Sequence, residues 1–206
     1  MAQVQSERGW RGSAEVWLDA AYDMLVESGV DAVKVMPLAA RLGLSRTSFY
    51  WHFTDRDALL SGLITRWQGT NTAQLIARAE APSATIAEAM LNICDLWVTP
   101  TLFDSRLEFA IRTWALTDSA LAQTLADADE VRITGLTQTF LRHGYSPLAA
   151  LIRAQTVYMT QIGYISMRTV ESRDLRLTRI PDYVLVFTGS TPTDSELLAF
   201  RSRHTA

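Results

Sequence analysis

An all-α fold is predicted from three observations. Apolar residues recur at spacings of three and four along most of the 206-residue chain. The strict alternation of a half-buried strand is weak throughout. Ser, Asp, Gly and Pro fall between the periodic runs, where helix caps and stops belong. Hydrophobic residues make up 48% of the sequence, enough for a substantial core.

The first predicted helix runs from Ser13 to Ser28, with Ser13 as N-cap, Gly29 as stop and Trp17, Ala21, Met24 and Leu25 as its buried stripe. A short second helix fits Pro37–Leu42 and ends at Gly43. A third begins at Ser45 and carries Phe49 and Phe53 inward, one helical turn apart. Asp55 then caps a longer helix running toward Ala79, with Leu59, Leu63 and Trp67 on its inner face. Beyond the break at Ala81-Pro82, a helix starting near Ser83 and further segments at Ile86–Val98, Phe103–Trp114, Ser119–His143 and Pro147–Met167 are expected. A last helix spans Pro181–Phe187, closed by Gly189 and followed by a polar segment with Pro192. The chain thus divides into three short helices over residues 1–56 and a longer helical bundle over 57–206.

Composition excludes several classes. No run of about 18 apolar residues is present, so no membrane span is expected. The stretch Met1–Arg11 is polar and lacks the apolar core of a signal peptide. Cys94 is the single cysteine and no Cys/His cluster occurs, so neither a disulfide, a metal site nor a cofactor is predicted. These features predict a cytoplasmic chain. Three histidines, at positions 52, 143 and 204, are scattered, and no Ser/His/Asp, Cys/His or paired-carboxylate set has the spacing of a catalytic cleft, so no enzyme is predicted. Glu108 and Arg112 lie four apart, the spacing of a surface ion pair. The net charge is −3, and the first sixty residues carry more acidic than basic side chains. Any polyanion must therefore be held by placed cations rather than by an overall field.

The informative stretch runs from Lys34 to Phe53. Small Ala39 permits close approach of a second helix, and Gly43 supplies a turn residue able to take positive φ. Leu38, Leu42, Leu44 and Phe49 form an apolar wedge. Two short helices crossing around a tight turn make a helix-turn-helix. Ser45 caps the second of them, leaving Arg46, Thr47 and Ser48 at its exposed start, positioned for base edges in a major groove. Tyr50 and His52 have polar-tipped rings suited to phosphate oxygens, and Arg56 opens the next helix, where a cation and free backbone N–H groups grip a phosphate together. Two readings stand for Trp51: packing on the sugar–phosphate edge, or shielding the helix junction. Arg8 and Arg11 read as part of a polar tail or as an arm reaching a groove.

Residues 10–60 resemble the N-terminal domain of the TetR family of bacterial transcriptional regulators. The pattern is Leu38-Ala39, then Gly43-Leu44-Ser45, then Tyr50-Trp51-His52-Phe53 and Arg56, followed by Leu59-Leu60. The resemblance implies that Ser45–His52 is a recognition helix and that Tyr50, His52 and Arg56 hold phosphates. The sequence departs from the family at the start of the second helix, where Lys34 replaces the usual Ser or Thr and Met36 a basic residue; Lys34 takes over a phosphate contact. Thr47 replaces a smaller residue.

The C-terminal body is rich in large side chains, among them Trp97, Phe109, Trp114 and Tyr158, with Gln161 as a polar anchor. Residue by residue these read first as core. As a set, aromatics with a few polar tips suit a small-molecule cavity, and the resemblance implies an effector site in this bundle. A homodimer is expected, because one recognition helix buries too little surface for a specific operator. The last two long apolar segments, Pro147–Met167 and Arg179–Phe187, are its candidate interface, with Ala149, Ala150, Ala154 and Gly163 allowing close approach. Together these readings predict a ligand-responsive repressor on a palindromic double-stranded DNA operator. The alternative is a sensor of the same fold that has lost operator binding.

Overall fold

The computed structural model describes residues 12–204, and these form two compact units divided between Arg66 and Trp67. Most of the helix after Asp55 therefore belongs to the first unit. Every regular element among the described residues is helical. Arg8 and Arg11 lie outside them.

In the first unit, α1 spans Ala14–Ser28. The Ser13 side chain accepts a hydrogen bond from the Val16 N–H at 3.3 Å, and Gly29, at φ 81°, donates its N–H to the Leu25 carbonyl. Trp17, Ala20, Ala21 and Leu25 are buried, while Met24 is half-buried. A short 3₁₀ turn at Val30–Ala32 leads to α2, Val35–Leu42. This helix starts two residues before the expected Pro37, which sits in the first turn, where its missing N–H has no intrahelical partner to lose. Lys34, at the N-cap, supplies no side-chain hydrogen bond. Gly43 closes α2 in the left-handed region at φ 64°, ψ 25°, a conformation that costs other residues a Cβ clash. The next helix, α3, is only Arg46–Phe49; a turn, not further helix, occupies Tyr50–His52. Asp55 caps α4, Arg56–Trp67, accepting from the Ala58 N–H at 2.8 Å. The rings of Trp17 and Phe49 meet edge to face at 5.3 Å, and Phe53 stacks on Phe49 at 5.5 Å. This wedge, with fully buried Leu38, Leu59 and Leu63, is what holds the short helices in place.

The second unit begins with a wider π-type turn, Gln68–Thr72, that brings Asn71 to a fully buried position, and continues into α5, Ala73–Glu80. Then follow α6 Ile86–Val98, α7 Ser105–Ala115, α8 Ser119–Arg142 and α9 Pro147–Ser166. Thr85, Asp104 and Asp118 cap α6, α7 and α8 with their side chains. The expected start at Ser83 lies two residues before the actual cap. The helix expected at Pro181–Phe187 is longer: α10 spans Arg173–Thr188, capped by Ser172, with Pro181 in its interior. The segment after Pro192 is also helical. Thr193 and Glu196 form a reciprocal capping box at the start of α11, Asp194–Ser202. Buried Met90, Ile93, Phe140, Val157, Val184 and Phe200 lie in one continuous core. Ala150 and Ala154, expected at a surface of helix approach, are fully buried in that core. No helix among the described residues is long and apolar enough to cross a membrane.

Candidate functional site

In the first unit the turn between α2 and α3 exposes a small group of side chains. Ser45 accepts a hydrogen bond from the Ser48 N–H at 3.2 Å, which fixes the start of α3. Arg46 and Thr47 are exposed beside it. The Arg46 guanidinium donates to the Tyr50 hydroxyl at 3.1 Å and lies 5.5 Å from the centre of its ring. Tyr50 is 47% exposed, Trp51 63% and Met36 61%. Lys34 is exposed at the start of α2. The structure thus brings Lys34, Arg46, Thr47, Tyr50 and Trp51 to the exposed part of the helix-turn-helix.

Three predicted contacts are placed elsewhere. Ser48 is buried, its hydroxyl 3.0 Å from that of Ser45, because it lies one turn behind the cap and completes it. It is not presented to base edges. The Arg56 guanidinium donates Nε to the Val33 carbonyl at 2.6 Å and Nη2 to the Val30 carbonyl at 2.8 Å. It ties the 3₁₀ turn to the start of α4, and two of its nitrogens are already engaged rather than free for a phosphate. His52 is half-buried, and its Nε2 is enclosed with no hydrogen-bond partner among the described residues.

The acidic balance of this unit has a local explanation. Glu15, Asp19, Asp23 and Glu27 lie four apart along α1, forming one ladder. Arg66 pairs with Glu15 at 2.6 Å and Asp19 at 2.9 Å, and Arg41 pairs with Glu27 at 2.8 Å and Asp23 at 3.4 Å. These carboxylates have cations of their own, so the net charge says little about Arg46 and Lys34.

The second unit contains a cleft between α6, α9 and α10 with about 430 Å³ of space, open to solvent. Buried Val98, Val157 and Ile180 form its apolar floor. Trp97, Tyr164 and Tyr183 add rings, with the two tyrosine hydroxyls 2.6 Å apart. Glu171, Arg176 and Arg179 stand among its polar lining, and Gln161 lies between floor and mouth. Of the pocket residues expected from the sequence, Trp97 and Gln161 line this cleft. Phe109, Trp114 and Tyr158 do not: Phe109 lies under Arg168 at 5.4 Å, Trp114 is buried on α7, and Tyr158 belongs to a buried polar cluster.

That cluster is built by tertiary packing that sequence spacing does not reveal. Glu108, expected at the surface, is fully buried. Its carboxylate accepts from Trp67 Nε1 at 2.6 Å, Asn71 Nδ2 at 2.9 Å, Arg112 Nε at 2.9 Å and Arg132 Nη1 at 2.8 Å. Arg132 is fully buried too; it donates to the Tyr158 hydroxyl at 3.0 Å and covers the Trp67 ring at 4.9 Å. The Tyr158 hydroxyl donates to Asp129 at 2.6 Å, and Asp129 also receives two bonds from Arg112. Burial pushes the Glu108 carboxyl upward, but the charges and hydrogen bonds of Arg132, with Arg112 and Asn71, overcome it and hold Glu108 below its ordinary value. Burial raises the Tyr158 phenol, which stays neutral and able to donate. The i,i+4 spacing of Glu108 and Arg112 was visible in the sequence, but not that α8 and α9 cover it.

A capped helix-turn-helix unit followed by an all-helical body defines a class of DNA-binding regulators. Residues 18–63 match the family described as "Bacterial regulatory proteins, tetR family". The tetracycline repressor protein class A from transposon 1721 of Escherichia coli is 39% identical over 61 residues, 30% of this chain and 28% of that protein. The class D tetracycline repressor of the same organism is 38% identical over 53 residues, 26% of this chain and 24% of that protein. The matched part thus spans about a quarter of these relatives. A transcriptional regulator from Rhodococcus sp. Rha1 has the same fold at TM-score 0.60 and 21% identity, covering 93% of this chain and 97% of its own. AmtR from Mycobacterium smegmatis matches at TM-score 0.52 and 18% identity, covering 97% of both chains. Residues 18–63 are thus similar to the TetR family, and the second unit shares its helical fold with these solved structures.

Proposed function

We propose that this protein is a cytoplasmic, ligand-responsive transcriptional repressor that binds a palindromic DNA operator as a homodimer. The observation that carries the reading is the exposed group at the capped start of α3. Arg46 and Thr47 reach toward base edges, while Tyr50, Trp51 and Lys34 hold the sugar–phosphate backbone. The pairing of α1's carboxylates with Arg41 and Arg66 removes the electrostatic objection.

A second copy is supported by an exposed apolar stripe. Leu148, Ile152 and Met159 lie on one side of α9 at 71%, 53% and 60% exposure, and Val186 of α10 is 69% exposed. Such a surface favours burial against its own symmetry mate. The cleft between α6, α9 and α10 is the proposed effector site. If effector and operator prefer different conformations of the dimer, each weakens the other by linkage.

The test is a gel-shift titration of the full chain on DNA upstream of its own gene. Tyr50→Ala is expected to weaken binding about tenfold on every site bound, and Arg46→Ala to change which sites are preferred. Unchanged affinity in Tyr50→Ala would remove the phosphate role. No binding by the unaltered chain would favour a sensor that has kept the fold without the operator.

A further inference from the structure

We infer that the cleft between α6, α9 and α10 takes an aromatic carboxylate, its ring against Trp97, Tyr164 and Tyr183 and its carboxylate on Arg176 and Arg179 alongside Glu171. This rests on the ligand-responsive reading above and names the chemistry of its effector. The floor excludes charge: Val98, Val157 and Ile180 offer nothing to solvate it. The body of the ligand is therefore apolar. The cleft walls are rings, with Tyr183 stacked on Phe187 at 5.5 Å and Trp97 edge-on to the same phenyl ring at 6.4 Å, a setting that favours a flat aromatic body. The cleft is open at its mouth, so a ligand larger than its enclosed part extends toward solvent.

The polar groups fix the sign of the ligand's charge. Glu171 is the one carboxylate among the described residues lining the cleft, and two guanidiniums face it. Its side chain is 9% exposed, it is paired with Arg179, and its other oxygen lies 3.8 Å from Arg176. Arg176 is held in place, donating Nη1 to the Trp97 carbonyl at 2.9 Å and lying 5.6 Å from the centre of the Tyr164 ring. Asp174 and Asp182 of α10 are exposed and do not line the cleft. One positive charge is left over, and guanidiniums match a planar carboxylate better than a neutral group.

Gln161 supplies an independent mark of a ligand. It is nine-tenths buried, lines the cleft, and has no side-chain hydrogen bond among the described residues. Its amide atoms are not shut off from solvent, so from the cleft wall they are open to a polar atom of the occupant. Its NH₂ is able to donate to the second carboxylate oxygen or to a ring hydroxyl.

The experiment uses benzoate, 1-naphthoate and the uncharged 1-naphthalenemethanol in calorimetric titrations of the full chain, with gel shifts run alongside. At least one carboxylate is expected to bind tenfold or more tightly than the alcohol. Arg179→Met is expected to erase that preference while leaving binding of the alcohol unchanged, and Gln161→Leu to weaken the carboxylate severalfold. Circular dichroism and the ligand-free melting midpoint confirm that the variants are folded. Equal binding of alcohol and acids overturns the inference, as does no binding by any probe, or a preference that survives both Arg176→Met and Arg179→Met. If the alcohol binds equally and releases DNA, the ligand-responsive reading stands and the carboxylate falls. If a carboxylate binds with the predicted preference but leaves DNA affinity unchanged, the site stands and the regulatory reading falls.

Discussion

The two units handle charge in opposite ways. In the first, Arg41 and Arg66 meet the carboxylates of α1 at positions open to water, with Asp23 and Glu27 each about half exposed. In the second, Glu108 and Arg132 meet with both side chains fully buried. Exposed pairs of the first kind are worth roughly 0–1 kcal/mol each, since solvent screens them and long side chains lose entropy in pairing. A buried pair costs desolvation on both sides; here both Glu108 oxygens are answered, while Arg132 Nη2 has no hydrogen-bond partner among the described residues. The first unit is thus held by its aromatic wedge and its caps, whereas the second depends on completing a polar network.

The sharpest way to break this contrast is to remove one buried partner. Glu108→Ala leaves the Arg132 guanidinium uncompensated and is expected to destabilise the chain by about 3–5 kcal/mol, read from urea denaturation followed by circular dichroism. Glu27→Ala, which removes an exposed partner of Arg41, is expected to change stability by less than about 1 kcal/mol. Similar losses in the two variants would show that burial is not what separates the units.

Acid sharpens the same comparison. The folded value of Glu108 lies below its unfolded value of about 4.3, so its charge stabilises the fold fully at neutral pH. That contribution fades as pH falls below about 4.3 and through the lower folded value, where protonation removes the acceptor for Arg132. Urea midpoints measured between neutral pH and strong acid should therefore fall more steeply for the unaltered chain than for Glu108→Gln. Parallel curves would assign the acid loss to other carboxylates.

What was legible in the sequence follows from the range of the interactions involved. Ser13, Gly29, Gly43, Ser45 and Asp55 act on backbone within a few residues, and each lies where its chemistry predicts. The wedge of Leu38, Ala39 and Phe49 was readable from helical spacing, because the core of so small a unit admits one arrangement. Arg56 reads as free in the sequence because its partners, two carbonyls of a turn more than twenty residues away, are set by the folded geometry, whereas Ser48 meets the Ser45 hydroxyl within one turn. Glu108 was misread for the same reason, and Trp67, Asn71 and Arg132 meet it only through tertiary packing. The helix α11 is a different case. Thr193 and Glu196, three apart ahead of Leu197 and Leu198, spell a capping box that was present in the sequence. Pro181 lies inside α10, which starts at Arg173 rather than at Pro181 as the spacing predicts.

A local effect tests the claim that caps carry much of the first unit. Ser45 has two partners, the Ser48 N–H at 3.2 Å and the Ser48 hydroxyl at 3.0 Å, and α3 is only four residues long. A helix this short has little hydrogen bonding of its own, so losing the cap loosens the segment that presents Arg46 and Thr47. Ser45→Ala is expected to cost about 1 kcal/mol, and Ser45→Asp, which keeps an acceptor for the Ser48 N–H, to restore most of it. Amide hydrogen exchange at Ser48 and Phe49 is the direct measure, because it reports local opening of α3 even where global unfolding is unchanged. Faster exchange in the alanine variant, reversed in the aspartate one, would place the order of α3 in one hydroxyl. Equal exchange in all three would shift that role to the Phe49 wedge, whose ring is fully buried against Trp17.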